Sequence, residues 1–258
     1  MNLVGHTKQK LRNGQVALGA WIMIGHPAVV EICAGEGFDW ICVDLEHTSI
    51  GIGAFHELLL AGKGTGCDML ARLHSCDPVQ AKMVLDCGAA GIVVPSVNSR
   101  QEAEQAVDMA KFPPKGTRGV SLSRATDFGR NFKPYFDSHN DEVIVVVMLE
   151  HIKAVQNADD ILSTPGIDAA FIGPYDLSAS MGIAGRLDHP DLLAAQKKLV
   201  AACRQHNVPA GFHVVSMNNE LIITRIQEGY RFIGCGLDTE FIIQGCRKIL
   251  EGVGCAHA

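Results

Sequence analysis

Ile41-Cys42-Val43-Asp44-Leu45-Glu46-His47 is a run of apolar, partly β-branched residues that turns abruptly into two carboxylates and an imidazole. Apolar residues without polar alternation describe a strand buried on both faces, as in a parallel sheet covered by helices. Charge at the carboxyl end of such a strand must face something other than core. In a parallel α/β barrel that end is where the reactive groups collect. An acidic helix start, with Asp44 or Glu46 near a cap, is the plainer account of these residues. It loses ground because the same pattern recurs along the chain.

Working outward from this strand (Phe38 to Asp44), seven more strand signals appear: Val16 to Ile24, Met69 to Leu73, Gly91 to Pro95, Glu142 to Leu149, Gly166 to Gly173, Val208 to Val215 and Arg231 to Gly236. Helical segments alternate with them: Leu3 to Asn13, Ala28 to Ala34, Phe55 to Ala61, Asp77 to Cys87, Ser99 to Lys111, Asp191 to Asn207, Asn218 to Glu228 and Glu240 to Leu250. Asp77-Pro78 supplies a cap followed by a first-turn proline. Only Phe112 to Asn140 breaks the rhythm, into Pro, Gly, Arg and aromatic residues; a long irregular segment in a compact domain usually serves function. This alternation over 258 residues predicts an α/β fold of the (β/α)8 TIM-barrel type, one domain spanning 1–258. An open doubly wound sheet is the runner-up, weakened because no strand runs into a dinucleotide-type glycine fingerprint.

Composition excludes several function classes. With 47% hydrophobic and 19% charged residues the chain can bury a sizeable core. A net charge of −6 without a basic cluster argues against a nucleic-acid surface. The nine cysteines contain no CxxC pair, so neither a disulfide framework nor a thiolate zinc site is expected. Cys42, Cys203 and Cys235 sit in apolar contexts and read as buried thiols of a reducing compartment. Met1 to Gly14 lacks an apolar signal core, and the longest clear apolar run, Val143 to Leu149, is far short of a membrane span. The expectation is a cytoplasmic globular protein without nucleic-acid or membrane partners.

The polar residues fall at strand ends. Strand two ends in Asp44, Glu46 and His47, strand three in Arg72, strand five in Glu150 and strand six in Asp176. A barrel gathers all of them on one rim. A strand-end arginine is often a loop ion pair, and a glutamate there is often a first-turn helix residue; their coincidence on one face is harder to arrange by chance. Glu150 and Asp176, from neighbouring strands, suit a hard divalent ion such as Mg²⁺ or Mn²⁺ better than zinc, since His or Cys ligands are lacking. Arg72 offers a planar fork to a carboxylate or a developing enolate oxygen. His47 is the proton carrier of the acidic motif, with a supporting structural role as the alternative reading. No lysine lies within a predicted strand, and Lys153 reads as a solvated helix residue, so a Schiff base has no evident nucleophile. A metal then serves as the electron sink.

These motifs carry a resemblance. Gly37-Phe38-Asp39-Trp40 through Asp44-Leu45-Glu46-His47, Ala71-Arg72, Asp77-Pro78 to Asp86-Cys87-Gly88, Pro113-Pro114-Lys115-Gly116-Thr117-Arg118-Gly119-Val120, Leu149-Glu150 and Phe171-Ile172-Gly173-Pro174-Tyr175-Asp176-Leu177-Ser178 span nearly the whole chain in order. Together they resemble the HpcH/HpaI metal-dependent (class II) pyruvate aldolases of the 4-hydroxy-2-oxoheptanedioate and 2-dehydro-3-deoxyglucarate aldolase type. The resemblance implies a homohexameric barrel lyase using Mg²⁺, Mn²⁺ or Co²⁺, with the last helix packed on a neighbouring subunit. Its substrates would be pyruvate, taken up as an enolate, and an aldehyde. It further implies Glu150 and Asp176 as metal ligands and Arg72 holding pyruvate and its enolate oxygen. Gly173 and the N–H groups of Tyr175 and Asp176 would bind the substrate carboxylate, as a helix start does. His47 would be the general acid/base, acting through a water at the metal, with Asp44 tuning that water or the metal. Asp86 pairs with the histidine in the family; at the far end of its helix here, it would serve a neighbouring subunit.

Two departures stand out. Leu45 occupies a position that is often glycine, which leaves the chemistry intact. His213, on strand seven, stands where relatives carry an aliphatic residue near the aldehyde pocket, and would favour a hydroxylated or acidic acceptor. Arg118 and Arg124 belong either to that pocket or to a subunit interface. The competing functions are a citrate-lyase-like acyl-CoA lyase or ligase, for which no basic stretch suits the nucleotide phosphates, and a non-catalytic binding barrel, for which loss of Arg72 or the carboxylate pair would be expected.

Overall fold

In the computed structural model residues 6–252 are described. Helix α1 (His6–Arg12) precedes β1 (Ala17–Ile22), and the predicted start of that helix at residues 3–5 lies outside the described residues. The chain then alternates α2 (Pro27–Gly35), β2 (Trp40–Asp44), α3 (Ile52–Ala61), β3 (Asp68–Arg72), α4 (Pro78–Asp86), β4 (Gly91–Val94) and α5 (Arg100–Asp108). The second half adds α6 (Phe132–Glu142), β5 (Ile144–Leu149), α7 (Ile152–Gln156), α8 (Ala158–Leu162), β6 (Ala169–Ile172), α9 (Pro174–Ser180), α10 (Pro190–Gln205), β7 (Ala210–Val214), α11 (Asn219–Glu228), β8 (Phe232–Leu237) and α12 (Asp238–Gly252). All eight strands pair in parallel and in sequence order, and β8 closes on β1. The fold is an α/β barrel of the (β/α)8 TIM type, as expected.

The period of two explains how it is filled. Trp21, Trp40, Cys42, Leu70, Val93, Ile144, Val146, Met148, Phe171 and Phe232 point inward and pack as one cluster. Their alternates, such as Ile41, Val43, Ala71, Ile92 and Val145, pack outward beneath the helices. Trp40 and Phe232 stack at 4.1 Å in the middle of the interior. That leaves no room on β1: a Cβ at Gly19 would lie 2.0 Å from the Trp40 ring.

Helix α1 plugs the amino end of the barrel. Leu11 joins the interior cluster, and buried Lys8 donates to the Val143 carbonyl at 2.5 Å and to Asp168 at 3.0 Å. Burial pulls the Lys8 pKa down while Asp168 pulls it back up. Among the described residues, α1 thus covers that end and leaves the carboxyl end to the ligand cleft.

The segment 112–140 is less irregular than its composition suggests. Arg124–Thr126 form a 3-10 turn, and Phe132 to Glu142 is a full helix, so β5 starts two residues later than expected. The sequence Phe-Lys-Pro-Tyr-Phe-Asp-Ser-His-Asn-Asp-Glu hides it, because only Tyr135 and His139 bury and no clean apolar stripe results. Pro134 is no obstacle in the first turn, where its missing N–H has no helical partner. The short helices α7, α8 and α9 also escape pattern reading, being five to seven residues long.

Of the three thiols expected to be buried, Cys42 and Cys203 are, while Cys235 is only partly so. Burial pushes the Cys203 thiol up to about 12. The described cysteines are all free. No helix among the described residues is long and apolar enough to cross a membrane.

Candidate active site

Strand parity carries Asp44, Arg72 and Glu150 to the inner rim at the carboxyl end. Asp44 and Arg72 are register partners on β2 and β3. Asp44 Oδ1 accepts the N–H groups of Glu46 and His47, both at 2.9 Å, which sets the turn after the strand. Its Oδ2 accepts Trp21 Nε1–H at 2.9 Å and Arg72 Nη1–H at 3.3 Å. Burial works against the charge, but the His47 N–H and Arg72, with Trp21 and the Glu46 N–H, hold the Asp44 carboxyl below its ordinary range. Both its oxygens are thus committed to protein donors.

Arg72 is the hub. Besides Asp44, its Nη2 lies 2.5 Å from Glu46 Oε2 and 3.8 Å from Glu150 Oε2, and its guanidinium carbon sits 5.9 Å from the centre of the Trp21 ring. The Glu46 contact is an ion pair off the line of a hydrogen bond. Arg72 Nε is buried and has no partner among the described residues. Glu46 Oε2 also lies 3.5 Å from His47 Nε2, whose ring is half exposed at the mouth of the cleft. Burial raises the Glu46 pKa, against the pull of Arg72 and His47.

Glu150 is 4% exposed. Its Oε1 accepts from Ser96 N–H at 2.8 Å and Ser96 Oγ at 3.3 Å; Ser96 reaches it from a left-handed backbone conformation, φ 54°. Its Oε2 is buried without a hydrogen-bond partner among the described residues. Burial pushes the Glu150 pKa up; Arg72 and the Ser96 N–H oppose this, while Asp176 and Glu46 add to it. Gly173 makes this placement possible, because a Cβ there would fall 2.7 Å from Glu150 Oε2. From Gly173 the chain turns into α9, whose first helical N–H bond runs from Leu177 to the Gly173 carbonyl at 3.1 Å. The N–H groups of Tyr175 and Asp176 therefore have no helical acceptor, and Asp176 is exposed on that first turn.

An open cleft of about 280 Å³ joins these parts, lined by Glu46, His47, Arg72, Ser96, Asn98, Glu150, His151, Asp176 and Ser180. Three carboxylates, Asp44, Glu46 and Glu150, meet one guanidinium, and Asp176 lines the same cleft. No group of three or more His, Cys, Asp or Glu side chains among the described residues is arranged around a common ion position. What fits a hard divalent cation is the pair Glu150 and Asp176, with the unpartnered Glu150 Oε2 as the donor in waiting.

Four expected residues lie apart from the cleft. Asp86, at the end of α4, accepts from Arg118 Nη2 at 2.7 Å and Ser121 Oγ at 2.9 Å. Buried Arg118 also contacts Tyr135 and His139 and covers the Phe112 ring at 4.6 Å, so within this chain it does not line the cleft; Arg124 donates to the Cys87 carbonyl. His213 faces the interior one layer down, stacked on Trp21 at 5.1 Å with Nε2 3.1 Å from the Gly236 carbonyl. Burial, with some help from Arg72, pushes its pKa down to about 4, so it is a neutral donor to that carbonyl. Sequence reading missed Trp21, Ser96, Asn98, His151 and Ser180. The signal at hand was Pro95-Ser96-Val97-Asn98, a polar turn directly after strand four.

The HpcH/HpaI aldolase/citrate lyase family model matches residues 17–245. The chain is similar to the 5-keto-4-deoxy-D-glucarate aldolase of Escherichia coli O6:H1, 35% identical over 244 residues that cover 95% of this chain and 94% of that one. It is similar to the 2-dehydro-3,6-dideoxy-6-sulfogluconate aldolase of Pseudomonas putida, 33% identical over 241 residues, 93% of each. The crystal structure of an HpcH/HpaI aldolase/citrate lyase family protein from Burkholderia cenocepacia superposes with a TM-score of 0.92 at 30% identity, covering 96% of this chain and 99% of that one. A parallel barrel with its charged cleft at the carboxyl end, matched over nearly its full length, belongs to the HpcH/HpaI aldolase/citrate lyase family, and this chain is accordingly a carbon–carbon lyase.

Proposed function

We propose that this lyase carries out divalent-metal-dependent, reversible aldol cleavage of a 4-hydroxy-2-oxo acid to pyruvate and an aldehyde. The observation that carries the reading is Glu150, a buried carboxylate with one oxygen unpartnered, set between Arg72 and the cleft shared with Asp176. A divalent cation held by Glu150 and Asp176 would supply Lewis acidity toward the 2-oxo acid. The substrate carboxylate would accept from the free N–H groups of Tyr175 and Asp176 beside Gly173. Arg72 Nη2, now on Glu46, would turn to the 2-oxo oxygen as it gains charge. His47, at the cleft mouth, would take the C4 hydroxyl proton as the C3–C4 bond breaks to release the aldehyde, and C3 of the pyruvate enolate would then be protonated from solvent.

The same reading places one aldolase barrel over the whole chain, in a cytoplasmic homo-oligomer, most simply a hexamer. Asp86, half-buried and fixed by Arg118 and Ser121, would be presented to the site of a neighbouring copy. On α12, Phe241 already stacks on Phe38 within the chain, but Ile242, Ile243 and Ile249 stay exposed and support a packed partner surface. The free thiols suit a reducing compartment. The test is pyruvate and a panel of aldehydes after chelation: no turnover is expected until Mg²⁺, Mn²⁺ or Co²⁺ is restored. Borohydride trapping of a pyruvate–lysine adduct with full loss of activity would sink the reading.

A further inference from the structure

His213 has no part in the proposed reaction, yet the barrel interior is shaped around its ring. It pairs with Gly234 in the register of β7 and β8. A Cβ at Gly234 would fall 2.9 Å from His213 Cδ2, so a larger residue on β8 would press the ring out of place. On its other side Nε2 lies 3.1 Å from the carbonyl of Gly236, which holds a left-handed backbone conformation, φ 94°. Burial drives the His213 pKa down to about 4, so the ring is neutral and its Nε2–H donates to that oxygen. Tethered in this way, the imidazole stacks on Trp21, with centroids 5.1 Å apart and planes 23° apart.

Trp21 is the link from this ring to the site. Its Nε1–H donates to Asp44 Oδ2 at 2.9 Å, and the same oxygen accepts from Arg72 Nη1 at 3.3 Å. The Trp21 ring centre also lies 5.9 Å from the guanidinium carbon. The indole therefore bears on Arg72 twice, through a shared carboxylate oxygen and through its own ring. A hydrogen bond weakens steeply as its angle closes, so a tilt of the indole would loosen both Asp44 and Arg72. Phe171 meets Trp21 tilted by 44° at 5.5 Å, and Trp40 meets it edge-on at 6.4 Å. Of these three rings His213 lies nearest to parallel and is the one tied to the backbone by a polar bond. An aliphatic side chain in its place would fill the space without fixing the plane of the indole.

We propose that His213 is a positioning residue: stacked on Trp21 and tied to the Gly236 carbonyl, it holds the indole N–H on Asp44 and thereby fixes the guanidinium of Arg72. The assignment rests on the reading of this cleft as an aldolase site, in which Arg72 meets the 2-oxo oxygen. His213 itself touches no reacting atom; its effect passes through Trp21.

Two measurements on the Mg²⁺-loaded chain test this. The first is solvent exchange of the indole hydrogens, followed by NMR with 15N-labelled tryptophan. The chain has two tryptophans, and Trp40, whose Nε1–H goes to the Ala17 carbonyl at 3.3 Å, is the internal reference. Trp21→Phe assigns the two signals. His213→Leu should speed exchange at Trp21 about tenfold and leave Trp40 unchanged, whereas general loosening would speed both. The second is exchange of pyruvate methyl protons with D2O. His213→Leu should slow it about tenfold, as for a displacement of Arg72 by a fraction of an ångström, and His213→Phe, which restores a flat ring, should recover it to within about threefold. On a Trp21→Phe background, where the indole N–H is gone, adding His213→Leu should cost no more than about twofold further. His213→Gln, whose amide reaches toward the Gly236 carbonyl but carries no ring, takes the place of His213→Leu throughout if that chain does not fold. Unchanged exchange at Trp21 in the ringless variant, equal acceleration at both tryptophans, a His213→Phe chain as slow as the ringless one, or losses that multiply across the two positions overturns the role. Absence of methyl exchange in the wild-type chain removes the aldolase reading and this role with it. Wild-type methyl exchange together with unchanged indole exchange removes this role alone.

Discussion

Gly173→Ala adds a single carbon at the point where the site is tightest. Gly173 has φ −94° and ψ 97°, open to any residue, so the perturbation is contact alone. The new Cβ would lie 2.7 Å from Glu150 Oε2 and 2.9 Å from Glu150 Cβ. Non-bonded heavy atoms rest at about 3.5 Å or more, so Glu150 must retreat by roughly 0.5–0.8 Å. It cannot simply swing aside, because Oε1 is tied to the Ser96 N–H at 2.8 Å. Catalytic groups tolerate about 0.5 Å of misplacement, and 1 Å costs on the order of a hundredfold. A fall in kcat/KM of about 30- to 100-fold is therefore expected, equivalent to roughly 2–3 kcal/mol. Affinity for Mn²⁺ by titration calorimetry should fall at least tenfold. Overpacking of this kind costs about 1–3 kcal/mol of stability, or roughly 2–10 °C in Tm for a chain of this size. Gly35→Ala, at the end of α2 with nothing within 4 Å of its Cβ, is the control and should leave all three quantities unchanged. Wild-type Mn²⁺ affinity and turnover in Gly173→Ala would refute the claim that Glu150 is cradled for a ligand.

Arg72→Ala is expected to abolish both cleavage and pyruvate methyl exchange, a loss of at least about a hundredfold. His47→Ala should cut cleavage strongly and exchange less, and near wild-type cleavage by His47→Ala across the pH range would return it to a structural role. The pKa of His139 is driven down to about 3, by burial and then Arg118, and that of His213 to about 4, by burial. Below an unfolded value of 6.5, unfolded chains bind protons that the folded chain refuses at both rings. Stability therefore falls as pH drops, by up to about 1.4 kcal/mol per pH unit for each histidine. Thermal melts from pH 7.5 to 5 should show a shallower slope for His213→Leu, and identical slopes would refute this. Sedimentation at micromolar concentration should find an oligomer; a monomer would remove the proposed role for the exposed face of α12.

What was legible in the sequence follows from how each feature is encoded. Buried parallel strands announce themselves through short apolar runs, and a charge directly after such a run has its face set by parity. The sequence alone places Asp44, Glu46, Arg72, Glu150 and Asp176 on one rim, and Arg72 indeed meets the first two and Glu150. Parity also puts His213 on the inner face, but not at a given height. Its ring lies flat on Trp21 and is spent on the Gly236 carbonyl, a partner 23 residues away that no local pattern reveals. Helix α6 was invisible for a related reason: its buried residues serve a buried arginine, Arg118, through Tyr135 and His139 rather than an apolar stripe. Asn98 and His151 show where local reading stops. As a turn asparagine and a helix cap each is fully explained by its neighbours in sequence, and only the fold shows that both line the cleft. Polar atoms left over after local structure has taken its share are where a ligand's contribution is to be sought, and that remainder is a property of the fold, not of any segment.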